Sequence, residues 1–316
     1  MAKKKVAITM GDPAGIGPEI IVKAFAEEDI YKICNPIVIG DKGIIKEVIR
    51  VTNFEYDPDN IETLNLNEIK NPTKFPKAIP SEESGKAAFS YIRKAVELYK
   101  LGIVQAIVTC PISKTALQMA RLPWIGHTEM LAELTETESV AMGFYSDTLK
   151  VLLATIHVPL KDVPHLIKKE KVINSIFFAQ KACEMLQIEN PRIAVCGLNP
   201  HAGEDGLMGR EEIEEIIPAI KEAKALGINV TGPYPADSLF WRASNGEFDM
   251  VVAMYHDQAL APFKLIAFEK GVNFTVGLPF VRTSPDHGTA YDIAWQGKAK
   301  PTSLIEAIKL ASRMVI

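Results

Sequence analysis

Residues 11–20 read Gly-Asp-Pro-Ala-Gly-Ile-Gly-Pro-Glu-Ile (GDPAGIGPEI), directly behind the apolar run Val6-Ala7-Ile8-Thr9-Met10. Three glycines between a strand-like run and a helix-like segment suggest a phosphate cradle. The dinucleotide fingerprint G-x-G-x-x-G is nevertheless absent, because Gly11, Gly15 and Gly17 are spaced differently and Pro13 and Pro18 interrupt them. Asp41, after the second strand candidate, lies further along than the ribose-binding acid of that fingerprint. Pro18 suits the first turn of a helix, and Glu19 suits the positive end of its dipole. The stretch therefore reads as a tight strand-to-helix turn rather than as a dinucleotide cradle.

Working outward, short β-branched runs alternate with helical patterns along nearly the whole chain. Strands are expected at Val6–Met10, Pro36–Gly40, Gln105–Cys110, Val140–Tyr145, Lys150–Ile156, Arg192–Cys196, Asp249–Met254 and Val272–Val276. Phe89, Ile92, Val96 and Tyr99 form a helical stripe that Gly102 ends. A second stripe, Ile213, Ile216, Ile217 and Ile220, has glutamates at its start and lysines near its end, and Pro218 must kink or restart it. Asp57–Glu83, rich in Asn, Pro and Lys, reads as an irregular excursion. Alternation of this kind means an α/β protein with a mostly parallel sheet.

The bulk numbers narrow the function. A chain of 316 residues, 47% hydrophobic and 23% charged, has room for one or two ordinary globular domains. A net charge of −4 argues against a nucleic-acid or anionic-membrane surface, though not against a local basic pocket. No apolar run approaches the length of a membrane span, and the run after MAKKK is too short for a signal peptide. Cys34, Cys110, Cys183 and Cys196 are scattered without a C-x-x-C pair, which suits buried thiols in a reducing cytoplasm.

Three histidines share a context. His157 follows one apolar strand run, His201 follows the run ending at Cys196, and His256 follows the run ending at Met254. Histidines at the C-terminal ends of parallel strands would meet at one sheet edge, where open α/β sheets bind ligands. Three imidazoles with open positions describe a catalytic divalent-metal site, whereas any one alone would as readily bond a loop carbonyl. His165 lacks this context. Lys264, Asn273 and Arg282 form a second, cationic and polar set. Arg282 beside Thr283 and Ser284, in a Pro-flanked loop, suits bidentate capture of phosphate or carboxylate, while Lys264 taken singly fits a solvated helix face. Residues 286–294, DHGTAYDIA, could open an amphipathic helix that offers N–H groups to an anion, or could simply be a helix capped by Asp286.

Taken together, GDPAGIGPEI, GHTE (126–129), TIHVPL (155–160), GLNPHAGE (197–204), PADSLF (235–240), AMYHDQ (253–258), GLPFVRTS (277–284) and DHGTAYDIA resemble the PdxA family of vitamin B6 synthesis. These are 4-hydroxythreonine-4-phosphate dehydrogenases, akin to isocitrate and isopropylmalate dehydrogenases. The resemblance covers essentially the whole chain. It implies two α/β/α domains with an active-site cleft between them, here expected as 1–125 with 260–316, and 126–259. It implies NAD- or NADP-dependent oxidation of the C3 hydroxyl of 4-phosphooxy-L-threonine, followed by loss of CO₂ from the β-keto acid. It places one divalent ion, Zn, Mg or Co, on His157, His201 and His256, in a homodimer that shares the site between subunits. The phosphorylated substrate would meet His127, Thr128, Lys264, Asn273 and Arg282, with Asp237 or Asp257 as general base. The nucleotide would sit against a helix start at His287, Gly288 and Asp292. Trp295, where the wider superfamily usually has Gly, would narrow the adenosine end. The wording DIAWxGKA also resembles a paralogous branch acting on 4-phospho-D-threonate or the erythronate analogue. From other classes, a metal-dependent lyase or hydrolase, or a phosphoacid-binding protein without activity, would use the same residues and would not reduce NAD.

Overall fold

The computed structural model describes residues 3–316. Among these, eleven strands occur: β1 (Lys5–Thr9), β2 (Asn35–Gly40), β3 (Thr63–Asn65), β4 (Ala106–Thr109), β5 (Ala141–Tyr145), β6 (Lys150–Leu153), β7 (Ile193–Cys196), β8 (Val230–Tyr234), β9 (Met250–Ala253), β10 (Val272–Val276) and β11 (Val281–Pro285). All eight expected strands form, each within a few residues of its expected limits. The chain divides into two compact units: residues 3–140 with Leu278–Met314, and Ala141–Gly277. The division therefore falls at Val140 and Gly277 rather than at residues 125 and 259, so His127 and Thr128 belong to the first unit, and Lys264 and Asn273 to the second.

In the first unit the strands run β3-β2-β1-β4-β11, every neighbouring pair parallel. The interior strands are mostly apolar and buried, β4 along its whole length, as expected of a parallel sheet covered on both faces. The C-terminal ends of β1, β4 and β11 consequently share one edge, and the 11–20 turn leaves from it. Gly11 has φ +71, and a Cβ there would overlap the carbonyl oxygen of Pro111. A Cβ on Gly17 would overlap the Met10 carbonyl oxygen. The glycines thus serve close backbone approach. The helix that follows, Gly17–Glu27, begins with Pro18 and has Glu19 in its first turn.

The helix Glu82–Lys100 starts with a reciprocal Ser81–Ser84 capping box and stops before Gly102, whose φ is +70. Ile92 and Val96 of the expected stripe are buried, whereas Phe89 stacks on Trp124 and Tyr99 packs against Phe280. Pro218 restarts the other striped helix, with a π-helical turn at Glu212–Ile216 leading into Ile217–Ala225. The excursion over 57–83 is mostly irregular and contains the short edge strand β3.

In the second unit the order is β10-β5-β6-β9-β7-β8, with β5 antiparallel to both neighbours and the rest of the sheet parallel. Phe144, Val151, Leu153, Val251, Leu260 and Phe263 centre its core. Each such side chain removed from water contributes about 1.5–3 kcal/mol. All four cysteines are free and buried, and burial pushes the Cys34 and Cys183 thiols up to about 12.

Two expectations need correction here. Arg282 lies within β11, not in a loop. No helix opens at His287, because Ala290 takes a left-handed φ of +43 and Trp295 one of +64, and residues 291–297 form only turns. Asp286 therefore does not open a helix at His287; its N–H donates to Ser303 Oγ.

Gly17→Ala is expected to lower stability by about 1–3 kcal/mol, the range for forced overpacking. Gly126→Ala serves as the control, since Gly126 is extended and a Cβ there would meet Glu129 Oε2 at an ordinary 3.5 Å. Urea denaturation midpoints check this, and equal midpoints for the two variants would contradict the close-approach reading.

Candidate active site

Because β6, β9, β7 and β8 are parallel and adjacent in that order, their C-terminal ends form one row. Along it stand His157 after β6, His256 after β9, His201 after β7 and Asp237 after β8. Backbone and side-chain bonds carry the pairing past the strand ends: Ala154 N–H donates to Ala253 O, and Thr155 Oγ1 donates to Met254 O at 2.6 Å. The buried Gln258 ties the next pair together. Its Oε1 accepts from Met254 N–H at 2.7 Å, and its Nε2 donates to Gly197 O at 2.8 Å.

These bonds bring His157 and His256 side by side, ring centroids 5.6 Å apart, lining one small cavity with Ile156, Tyr255 and Asp257. His256 opens the helix His256–Ala267, and its Nδ1 lies 2.7 Å from Asp257 Oδ1. A carboxylate there holds the proton on Nδ1 and leaves the Nε2 lone pair outward, the arrangement that prepares an imidazole for a metal ion. The donor chemistry of this pair fits a divalent cation.

His201 is not drawn into that pair. It stands 70% exposed on the loop after β7, with Nδ1 3.5 Å from Glu204 Oε2. Among the described residues no group of three His, Cys, Asp or Glu side chains converges on one metal position. The sequence-based expectation that three imidazoles meet at one edge is therefore met by two of them within one chain. Strand order explains it: β7 lies two strands from β6, so the end of β7 is about 10 Å from the end of β6.

In the first unit, Arg282 extends from β11 into a buried position. Its Nε and Nη2 donate to Thr109 Oγ1 at 3.2 and 2.8 Å, and burial pulls its pKa down to about 10, still cationic at neutral pH. His127 begins the helix His127–Leu134. Burial first, and the Arg282 charge second, hold its imidazole well below the usual range, so it is neutral at pH 7. It donates to the Cys110 carbonyl, while its buried Nε2 has no protein partner. A buried guanidinium, an open imidazole nitrogen and the buried Thr128 beside it make a set of groups suited to an anion.

The segment 286–297 is pinned to the glycine turn rather than presented as a helix end. Ile16 N–H donates to Thr289 O at 3.0 Å, and Tyr291 Oη donates to Asp12 Oδ2 at 2.6 Å. Asp12 is fully buried, and burial raises its pKa while the Tyr291 hydrogen bond works against the rise. Of the expected cofactor residues, His287 is half-buried, and Gly288 and Asp292 are exposed. Trp295 is buried, with Lys77 Nζ 5.2 Å from its ring centroid.

In the second unit Asn273 is buried within β10, and Lys264 is half-buried on helix His256–Ala267, its Nζ 5.8 Å from the Phe268 ring centroid. Asp257 is 86% exposed apart from its bond to His256, and Asp237 is exposed in the first turn of helix Ala236–Ser244. Sequence reasoning did not single out Gln258, Thr109, Asp12 or Tyr291 as parts of this machinery. The motifs AMYHDQ, GDPAGIGPEI and DHGTAYDIA contained three of them, but the bonds that matter reach far along the chain, from Gln258 to Gly197 and from Tyr291 to Asp12.

The model of the pyridoxal phosphate biosynthetic protein PdxA family matches residues 32–311. A 4-hydroxythreonine-4-phosphate dehydrogenase of Desulforapulum autotrophicum is 46% identical, over 97% of this chain and 94% of its own length. An Oceanobacillus iheyensis protein, provisionally named a D-threonate 4-phosphate dehydrogenase, is also 46% identical, over 98% of each chain. The crystal structure of 4-hydroxythreonine-4-phosphate dehydrogenase from Klebsiella pneumoniae superposes with a TM-score of 0.89 at 41% identity, covering 98% of both chains. With a family match over most of its length and relatives alike end to end, the chain belongs to the PdxA family of pyridoxal phosphate biosynthetic proteins.

Proposed function

We propose that this chain oxidises 4-phosphooxy-L-threonine at its C3 hydroxyl, using NAD or NADP and one divalent ion, Zn, Mg or Co. The resulting 2-amino-3-oxo-4-phosphooxybutanoate loses CO₂ to give 3-amino-2-oxopropyl phosphate. The observation that carries this reading is the coincidence of family membership with the paired His157 and His256 at adjoining strand ends. When bound, the cation supplies Lewis acidity at the hydroxyl and later at the carbonyl, and the nicotinamide supplies the hydride acceptor.

The chain's own residues do the rest. Arg282, His127 and Thr128 bind the phosphate; being buried, they exclude water and strengthen each charge-assisted bond. Lys264 and Asn273 are further substrate contacts. Asp257 keeps His256 in the ligand tautomer, which leaves Asp237 to take the proton from the C3 hydroxyl. His287, Gly288 and Asp292 contact the nucleotide from a pinned turn rather than from a helix end. His201, held outward on its own loop, completes the metal set in a homodimer whose subunits share the site. The enzyme works in the cytoplasm, a reading favoured by four free, buried thiols.

A second reading has a specific basis, since relatives named for D-threonate 4-phosphate are as similar as those named for 4-hydroxythreonine 4-phosphate. The two substrates differ at C2, and none of the residues placed above reads that centre. Relative kcat/KM values decide between them.

His157→Ala, His201→Ala and His256→Ala are each expected to abolish NAD reduction while circular dichroism stays unchanged. Full turnover in any one removes that residue from the mechanism. Arg282→Ala is expected to raise KM for the phosphorylated substrate by at least tenfold, about 1.4 kcal/mol or more of lost binding. An unchanged KM would contradict phosphate capture by Arg282.

A further inference from the structure

The loop that carries His201 has an unusual backbone. His201, Ala202, Gly203, Glu204 and Asp205 all have left-handed dihedrals, with φ of 55, 53, 86, 43 and 52. Four of the five are not glycine, so the conformation is unfavourable by itself and persists only where its surroundings over-determine it. The surroundings supply one fixed element, the carboxylate of Glu212, 1% exposed on the π-helical turn.

Glu212 Oε1 accepts from Leu198 N–H at 2.7 Å and from Asn199 N–H at 2.8 Å, and Oε2 accepts from Asn199 Nδ2 at 2.9 Å. These three donors are neutral N–H groups of one loop. The loop also folds closely over the carboxylate. A Cβ on Gly203 would lie 2.6 Å from Oε2, and one on Gly197 would lie 2.7 Å from the Ala202 Cα. Asn199 Nδ2 also donates to Glu211 Oε2 at 2.7 Å, which fixes the amide from the other side.

We infer that Glu212 is a positioning residue for the metal site: its buried carboxylate organises the 197–205 loop so that His201 projects its imidazole outward as a ligand. The inference rests on the proposed role of His201 as a metal ligand. A carboxylate aimed at consecutive N–H groups replaces the helix or strand pairing those groups lack, and this lets the loop hold a conformation that its sequence does not favour. The π-helical turn sets Glu212 there, just ahead of the restart at Pro218.

The test is titration of the metal-free, full-length protein with Co²⁺ alone, followed by calorimetry and by the visible absorption of the bound ion. Glu212→Gln keeps the volume but puts an N–H₂ group among N–H donors. It is expected to weaken Co²⁺ binding by about 10–100-fold, the range for loss of a ligand's supporting partner, and to alter the Co²⁺ spectrum. Asn199→Ala, a milder disturbance of the same contact, is expected to shift both readouts in the same direction by less, and it decides the matter if Glu212→Gln fails to fold. His201→Ala is the reference. If it weakens Co²⁺ binding while the folded Glu212→Gln and Asn199→Ala proteins keep wild-type affinity and spectrum, the positioning role is overturned. If His201→Ala leaves Co²⁺ binding unchanged, the ligand reading of His201 fails, and the inference fails with it.

Discussion

Parallel pairing of β6 with β9, and of β9 with β7, is the constraint on which the site depends. Strands that run the same way deliver their following loops to the same edge, and a strand spacing of about 4.8 Å sets how far apart their first loop residues stand. His157 and His256 meet because their strands are neighbours and because Thr155 and Ala154 extend the pairing one step beyond the ladder. Gln258 then ties the end of β9 to the start of the His201 loop. A stable core therefore sets the spacing of the histidines, and the polar side chains at the edge refine it.

Electrostatics divide the labour between charge and neutrality. Arg282 remains cationic despite complete burial, with Thr109 as a fixed acceptor, whereas burial and that same cation keep His127 neutral. At Asp257 and His256 the carboxylate is exposed and the imidazole needs an oriented tautomer, not a charge. Each arrangement suits its proposed ligand: a dianionic phosphate in one case, a cation that needs lone pairs in the other.

Much of this was legible in the sequence. Apolar runs marked the buried parallel strands because such strands are hydrophobic on both faces, and the histidines after them were legible for the same reason. What escaped had no local signature. β8 contains Gly232-Pro233 and β3 is three residues long; both lie at the ends of the strand order, where turn residues are tolerated. β11 ends on Pro285 and so read as a loop. The expected helix at His287 failed because the backbone turns left-handed at Ala290, while the segment bonds instead to Asp12 and Ile16, nearly three hundred residues away in sequence. Glu212 looked like one more acid in a glutamate-rich helix start. Only the fold shows that its carboxylate accepts from the N–H of Leu198, fourteen residues earlier.

The proposed reaction is metal-dependent transfer of hydride from a phosphorylated hydroxy acid to a nicotinamide. The most direct measurement follows absorbance at the NADH wavelength, with 4-phosphooxy-L-threonine and 4-phospho-D-threonate side by side, before chelation, after chelation and after a divalent ion is restored. The expected result is that one of the two substrates reduces the cofactor, that chelation stops the reaction, and that Zn²⁺, Mg²⁺ or Co²⁺ restores it. No reduction with either substrate, or a rate indifferent to the chelator, would contradict it.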